Sequence, residues 1–495
     1  MRILIVSPMV AFNGQNPFAF ILNKIKPGSV INTSDVSSGP LYLASVAMKR
    51  GHDVQVSICC KYDFEKTFTM YDPDLVLISA MDIQSSAAIS MAKSARFMKR
   101  SVKVVMGGYF PTACFRNLLR DIPWLDFAVI GEGEDTLDEI LSYYEGECRI
   151  KSKGAIKGVA FLRKGKIVFT GYRDSIDINK MPFPASFLIK NPFGFIITSR
   201  GCLYNCRFCC IKNFYKQTHR ARSLKNVVEE IAYIKKTGQG SFKDEIKLRD
   251  DDFFIDNKAI SELRTRIANR KLEKMRFSGM MRLDQLIIPG TLENLEKLNF
   301  FSVSVGLQNV SEEVLNHFRI GINKSHIRKF VKLLKRNKKI KIKIFYIINS
   351  GLPTETPESI RKNLSSFLSL IKGIKNVNFL PFILTPYSGS DLGGKSPVHE
   401  FSYLENKDYV CSVNTNYSEL NHIYLSFIEE MKSRAYYGET FDLIEKVSFF
   451  FTSSLEAGTK MRMIFDSFGW CFLGILKRRN PLDYAKERIE EKYFI

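Results

Sequence analysis

Residues 195–210 read FIITSRGCLYNCRFCC, and the reading of the whole chain turns on them. An apolar strand start runs into a loop that holds Cys202, Cys206 and Cys209 in C-x3-C-x2-C spacing. Three thiolates in one short loop can hold three irons of a [4Fe–4S] cube. The fourth iron is then left without a protein ligand. An open coordination position is what metal catalysis requires, whereas structural sites are closed. A structural zinc knot is the competing use, with Cys210 or His219 as a fourth ligand. Adjacent Cys209 and Cys210 would strain to hold one ion together. Cys210 also offers a rival third ligand in C-x3-C-x3-C spacing; Cys209 is favoured because Phe208 then falls immediately before it.

An open iron position can be filled by the amino and carboxylate groups of S-adenosylmethionine (SAM). An electron from the reduced cluster can then break the sulfonium C–S bond and leave a 5′-deoxyadenosyl radical.

The chain on either side of the loop alternates strand and helix signals. Over 191–392 the strand candidates are 195–199, 245–249, 276–278, 301–305, 342–348 and 377–382, separated by amphipathic helices such as 225–236. Six such units predict a partial (β/α)6 barrel of TIM type, with its chemistry at the strand C-termini. The run KRNKKIKIK (335–343) falls where an amphipathic helix hands over to a strand, and a basic helix C-terminus is favoured by the helix dipole.

Residues 1–150 also alternate, with strands at 3–7, 54–59, 75–79, 102–106 and 127–130 and helices such as 41–50 and 87–99. That pattern predicts a Rossmann-like parallel sheet that binds ligands at its strand ends. GVAFLRKGKIVFTG (158–171) reads as a hairpin, and the prolines of MPFPASF suit a linker, so 151–190 forms a connecting segment. Residues 393–495 form a mainly helical, variable region. The fold class is α/β throughout.

The ten cysteines of this 495-residue chain do not form a disulfide framework, which points to a reducing, cytoplasmic setting. The N-terminus lacks a signal-peptide pattern, and no apolar run is long enough to span a membrane. The formal charge of +22 is compatible with solvated lysine-rich faces, and no nucleic-acid partner is expected. RMIFDSFGWCFLGIL (462–476) is aromatic-rich and is followed by Lys477-Arg478-Arg479. It reads either as a helix packed on the barrel or as an interfacial helix touching an anionic membrane.

The cluster loop, with Phe208 in C-x3-C-x-aromatic-C, resembles the radical SAM superfamily, and specifically its class with an N-terminal cobalamin-binding domain. ARSLKNVVEEI (221–231), KLRDDDFFIDN (247–257), SVGLQNVSEEVLNHFRIGIN (304–323), INSGLPTETPESI (348–360) and LTPYSGSDL (384–392) extend the resemblance in order. It implies that Phe208 packs near the SAM adenine and that Asp250, Gln308 and Gly351 line the SAM pocket. Gln308-Asn309 departs from the family's common Glu-Ser. Asp250–Asp252 have a second use as a helix N-cap.

The N-terminal segments SSGPLYLASVAMKRGHDV (37–54), DPDLVLISAMDIQ (72–84), VVMGGYFPT (104–112) and DFAVIGEGEDTLDEIL (126–141) resemble the cobalamin domain of the same class. Ser79, Met81, Gly107, Gly108, Gly131, Glu132 and Gly133 are the implied cobalamin contacts. Small residues at strand ends let a backbone approach a large flat ligand. The D-x-H-x-x-G motif that supplies a lower histidine ligand is absent, and His52 reads as structural. The implied activity is that of a cobalamin-dependent methyltransferase of an unactivated carbon or phosphorus centre. A radical cyclase or rearrangement enzyme is the alternative, and a non-catalytic cobalamin or cluster sensor a third reading. The expected partners are a small-molecule or peptide substrate and an electron donor such as flavodoxin or ferredoxin.

Overall fold

In a computed structural model the described residues are 1–8, 38–59, 61–189, 194–237, 244–253, 256–382, 384, 387–392, 423 and 488. They fall into two compact units, the first within residues 1–189 and the second within 194–392. The variable region from 393, including the aromatic segment 462–476, lies outside the described residues apart from Ile423 and Arg488.

The first unit is built on seven strands: β1 (Arg2–Pro8), β2 (Asp53–Cys59), β3 (Leu75–Ser79), β4 (Lys103–Gly107), β5 (Phe127–Val129), β6 (Val159–Arg163) and β7 (Lys166–Phe169). Their order is β2-β1-β3-β4-β5-β6-β7. The first five are parallel. Strands such as RILIVSP are apolar along their length because helices cover both faces, and Ile3, Leu4, Ile5 and Val6 are wholly buried. The expected connecting hairpin is not free-standing. Its strands β6 and β7 add antiparallel to the sheet edge at β5. Ala160 and Phe161 are buried there, so apolar burial rather than linker composition decides where the hairpin goes.

The second unit holds β8 (Gly194–Ile196), β9 (Ser199–Gly201), β10 (His219–Ala221), β11 (Glu245–Leu248), β12 (Arg276–Arg282), β13 (Phe300–Gln308), β14 (Lys341–Ile347) and β15 (Val377–Phe382). Six of them, β8 and β11 to β15, form one parallel sheet in chain order. One face carries Ile246, Phe277, Val303, Val305, Ile342, Ile344 and Phe379, which join residues from helices such as Leu224–Thr237, Lys324–Arg336 and Pro357–Ile371 in a single core. The basic run ends the helix Lys324–Arg336 as expected, with Lys335 and Arg336 in its last turn. Among the described residues no helix is long and apolar enough to cross a membrane.

One ion pair lies deep in this unit. Arg222 and Glu230 have side-chain exposures of 1% and 0%, and Arg222 also donates to Ile197 O at 2.8 Å. Arg222→Leu leaves an uncompensated buried carboxylate and is expected to cost about 3–5 kcal/mol in urea denaturation. The Arg222→Leu/Glu230→Leu double variant removes both charges and should regain most of that loss. A double variant as unstable as the single one would count against the pair being coupled.

Candidate active site

The cysteine loop is closed at both ends. Before it, β9 pairs antiparallel with β10, which follows it. Gly201, immediately before Cys202, has φ +85°, and a Cβ there would stand 2.0 Å from the Thr218 carbonyl oxygen. Only glycine lets the two strands cross here.

Beneath the loop lie the three aspartates that follow β11. Asp250 accepts from Thr198 N (2.6 Å), Ser199 N (2.7 Å) and Thr198 Oγ1 (2.6 Å). Asp251 accepts from Gly201 N at 2.9 Å, and Asp252 from Gln285 Nε2 at 3.1 Å. The following helix is capped instead by Asp256, which accepts from Ala259 N. The helix-cap alternative is therefore set aside. Both Asp250 oxygens are engaged by the start of the loop, which gives it a positioning role there. Burial pushes its carboxyl up to about 7, against the pull of its donors.

Cys202, Cys206, Cys209 and Cys210 are partly buried thiols outside any disulfide. Burial pushes the Cys202 thiol up to about 11 and raises Cys206 and Cys209 as well. Each of the three expected ligands also has a donor that favours its thiolate: Tyr204 N–H for Cys202, the Arg282 guanidinium for Cys206 and Ile211 N–H for Cys209. Cys209 stands near enough to Cys202 and Cys206 for their charges to oppose its ionisation. Among the described residues no three Cys, His, Asp or Glu side chains converge on a point that could hold one metal ion. A four-iron cube is wider than one ion and does not need such convergence.

Arg282 was not singled out in the sequence, where it is merely a strand-end arginine. In the fold it ends β12, bonds Asp284 through two nitrogens at 3.0 Å and donates to Ile320 O at 2.7 Å. Its guanidinium lies 3.4 Å from the centre of the Tyr204 ring. Phe208 packs edge-on against Phe318, with ring centres 5.3 Å apart, and Arg207 N donates to Phe318 O. The loop is thus docked on two strand ends and on residues 317–320.

Gln308 sits where the β13–β14 register shifts, at φ +67°, a left-handed conformation uncommon for a non-glycine. Its neighbour Asn309 is committed internally to Ile347 O, Val310 N and Ser311 N. Gly351 has φ +73° and donates its N–H to Glu355, which also accepts from Ser350 N and Oγ. Glu355, missed in the sequence, thereby holds the GLPTE loop.

The residues fit SAM. Asp252 Oδ1, Gln285 Oε1 and Gln308 Oε1 are buried acceptors without a hydrogen-bond partner. The amino N–H groups and ribose hydroxyls of SAM are donors of the kind such atoms require.

In the first unit, β1 to β5 have the order 2-1-3-4-5, whose switch point lies between β1 and β3. Ser79 ends β3 and Gly107 ends β4. Gln84 ties two of the strand ends, donating to Pro8 O (2.7 Å) and accepting from Met81 N (2.8 Å). Thr112 ties two more, donating to Gly108 O (2.7 Å) and accepting from Gly131 N (2.9 Å). Met81 is exposed, and a Cβ at Gly131 would meet no atom within 4 Å. That open backbone fits a large flat ligand. One expectation changes. Gly108 has φ +101°, and its Cβ would stand 2.7 Å from Ala80 O, so internal packing already requires glycine. The Glu132 carboxylate accepts from Ile176 N at 3.4 Å. His52 Nε2 stands 2.8 Å from a Glu145 carboxylate oxygen, in keeping with a structural role.

Two family models match the chain: B12 binding domain over residues 36–141 and Radical SAM superfamily over residues 196–366. The chain thus carries a B12-binding domain followed by a radical SAM domain. It is 27% identical over 378 residues to an uncharacterized methyltransferase of Pyrococcus horikoshii, covering 73% of this chain and 79% of that protein. It is also 27% identical to the anaerobic magnesium-protoporphyrin IX monomethyl ester cyclase of Cereibacter sphaeroides, over 59% of this chain and 48% of that one. Among solved structures it shares its fold with the radical SAM methyltransferase TsrM from Kitasatospora setae. The TM-score is 0.58 at 17% identity, covering 79% of this chain and 75% of that chain.

Proposed function

We propose that this radical SAM protein is a cobalamin-dependent methyltransferase of an unactivated carbon or phosphorus centre. What carries the reading is the union, in one chain, of a B12-binding domain with a three-thiol loop at the strand ends of a radical SAM sheet. When bound, the cluster supplies the electron that cleaves SAM and the cobalamin carries the methyl group. In this reading Cys202, Cys206 and Cys209 hold the cluster. Asp250 fixes the loop from below, while Phe208, Gln308 and Gly351 orient SAM. Ser79, Met81, Gly107, Gly131, Glu132 and Gly133 flank the cobalamin. A low-potential donor such as flavodoxin or ferredoxin supplies the electron.

Mass spectrometry of extracts with and without the gene, fed methionine with a labelled methyl group, tests the reaction. A product that gains one labelled methyl only when the gene is present supports it. A gene-dependent product with a new ring and no label supports instead the cyclase reading, which the Cereibacter sphaeroides relative favours.

Cobalamin binding is tested by equilibrium dialysis with hydroxocobalamin. Gly108→Trp is unsuitable, since it would strike Ala80. A Cβ at Gly107 makes only an ordinary 3.4 Å contact with Val129. Gly107→Trp is expected to weaken cobalamin retention by about tenfold or more, with circular dichroism checking that the variant folds. Absence of retention by the wild type at micromolar cobalamin would remove the methyltransferase reading and leave a radical SAM enzyme of another kind.

A further inference from the structure

Three ladders of the first sheet stop short of the strand-end loops. The last paired residues are Val6 with Ile78 between β1 and β3, Ser79 with Gly107 between β3 and β4, and Met106 with Ala128 between β4 and β5. Beyond those pairs a second set of bonds takes over. The Gln84 amide donates to Pro8 O at 2.7 Å, past the end of the β1–β3 ladder, and its oxygen accepts from Met81 N at 2.8 Å. Ala80 N donates to Gly107 O at 2.9 Å and Phe110 N to Ala80 O at 3.1 Å, which joins the ends of β3 and β4. The Thr112 hydroxyl donates to Gly108 O at 2.7 Å and accepts from Gly131 N at 2.9 Å, past the end of the β4–β5 ladder. Hydrogen bonds and short stretches of backbone thus string together the ends of β1, β3, β4 and β5, from Pro8 to Gly131.

Side chains supply the two outer links. The bond from Thr112 to Gly108 O is one that threonine often makes four residues back in a helix. The other bonds are not local: Gln84 reaches Pro8 across 76 positions, and Gly131 reaches Thr112 across 19. Ordering a side chain and a loop costs conformational entropy, and what these links hold is not core. Met81 is exposed, and among the described residues a Cβ at Gly131 would meet no atom within 4 Å. The Gln84 link also crosses the switch point between β1 and β3, where open α/β sheets take their ligands. We propose that Gln84 and Thr112 are positioning residues for cobalamin. They fix the Met81 and Gly131 backbones before the cofactor arrives, so that binding does not have to order those loops. The inference rests on the cobalamin-binding reading of this unit and adds the residues that hold its cradle in shape.

Equilibrium dialysis of the full chain with hydroxocobalamin, beside urea denaturation of the cofactor-free protein, tests it. Thr112→Val keeps the shape of the side chain and loses both bonds, and its cobalamin retention is expected to weaken by about tenfold or more. Thr112→Ser keeps the hydroxyl and should restore retention. Gln84→Leu should weaken it as Thr112→Val does. Gln84→Glu can still accept from Met81 N but no longer donates to Pro8 O, and it should fall between wild type and Gln84→Leu. The two Gln84 variants also serve if circular dichroism shows that Thr112→Val does not fold. A merely structural role predicts a different result: lower urea midpoints, with the affinity of the folded protein unchanged. That result would overturn the proposal and leave the cobalamin reading standing. Absence of retention by the wild type would remove that reading, and this inference with it.

Discussion

Anaerobic reconstitution is expected to load about four irons and four sulfides per chain, and Cys202→Ala, Cys206→Ala and Cys209→Ala should each lose both the cluster absorbance and SAM cleavage. These three thiols each have a donor that favours the thiolate. Loss of any one exposes a second iron and leaves the cube held by two ligands. Cys210 precedes the helix Ile211–Phe214, and its carbonyl accepts from Asn213 N and Phe214 N. Cys210→Ala keeps those backbone bonds and is expected to retain iron and activity. An inactive Cys210→Ala beside an active Cys209→Ala would transfer the third ligand to Cys210.

Gly201→Ala should be nearly as damaging without touching a ligand. The new Cβ would fall 2.0 Å from the Thr218 oxygen while the backbone stays at φ +85°. Left-handed strain and overpacking together cost about 3–5 kcal/mol. That cost falls on the β9–β10 crossing that closes the loop. Iron retention should drop sharply, while the first unit, with its own sheet, should still bind cobalamin. Iron analysis and hydroxocobalamin dialysis on one preparation separate the two effects. A Gly201→Ala protein with a full complement of iron would show that the crossing does not hold the loop.

Much of the site was legible in the chain because it is local. The spacing of Cys202, Cys206 and Cys209 lies within eight residues, and a short loop fixes its own geometry. The parallel strands were legible for a related reason. Segments such as Leu75–Ser79 and Val377–Phe382 are apolar in the pattern their burial requires, and both ends fall where the sequence put them. Strand ends elsewhere shifted by a residue or more. Arg276–Arg282 and Phe300–Gln308 run beyond their expected limits, because ladder hydrogen bonds to neighbouring strands extend them past their apolar centres.

Other features depend on which residues distant segments bring together. Arg282 reaches Cys206 across 76 positions of sequence, and no pattern near either residue announces it. Asp250 stands out within a motif, but the use of its carboxylate by Thr198 and Ser199, some fifty residues earlier, shows only in the fold. Gly108 looked like a ligand cradle, and the Ala80 backbone explains it instead. The sequence by itself determined the α/β class, the two sheets and the three-thiol loop, since periodicity and short spacing are properties of a chain. Only the tertiary structure decided which carboxylates hold the loop, which acceptors are left for a donor, and which strand ends Gln84 and Thr112 join. Those are consequences of strand order and register, which long-range pairing sets.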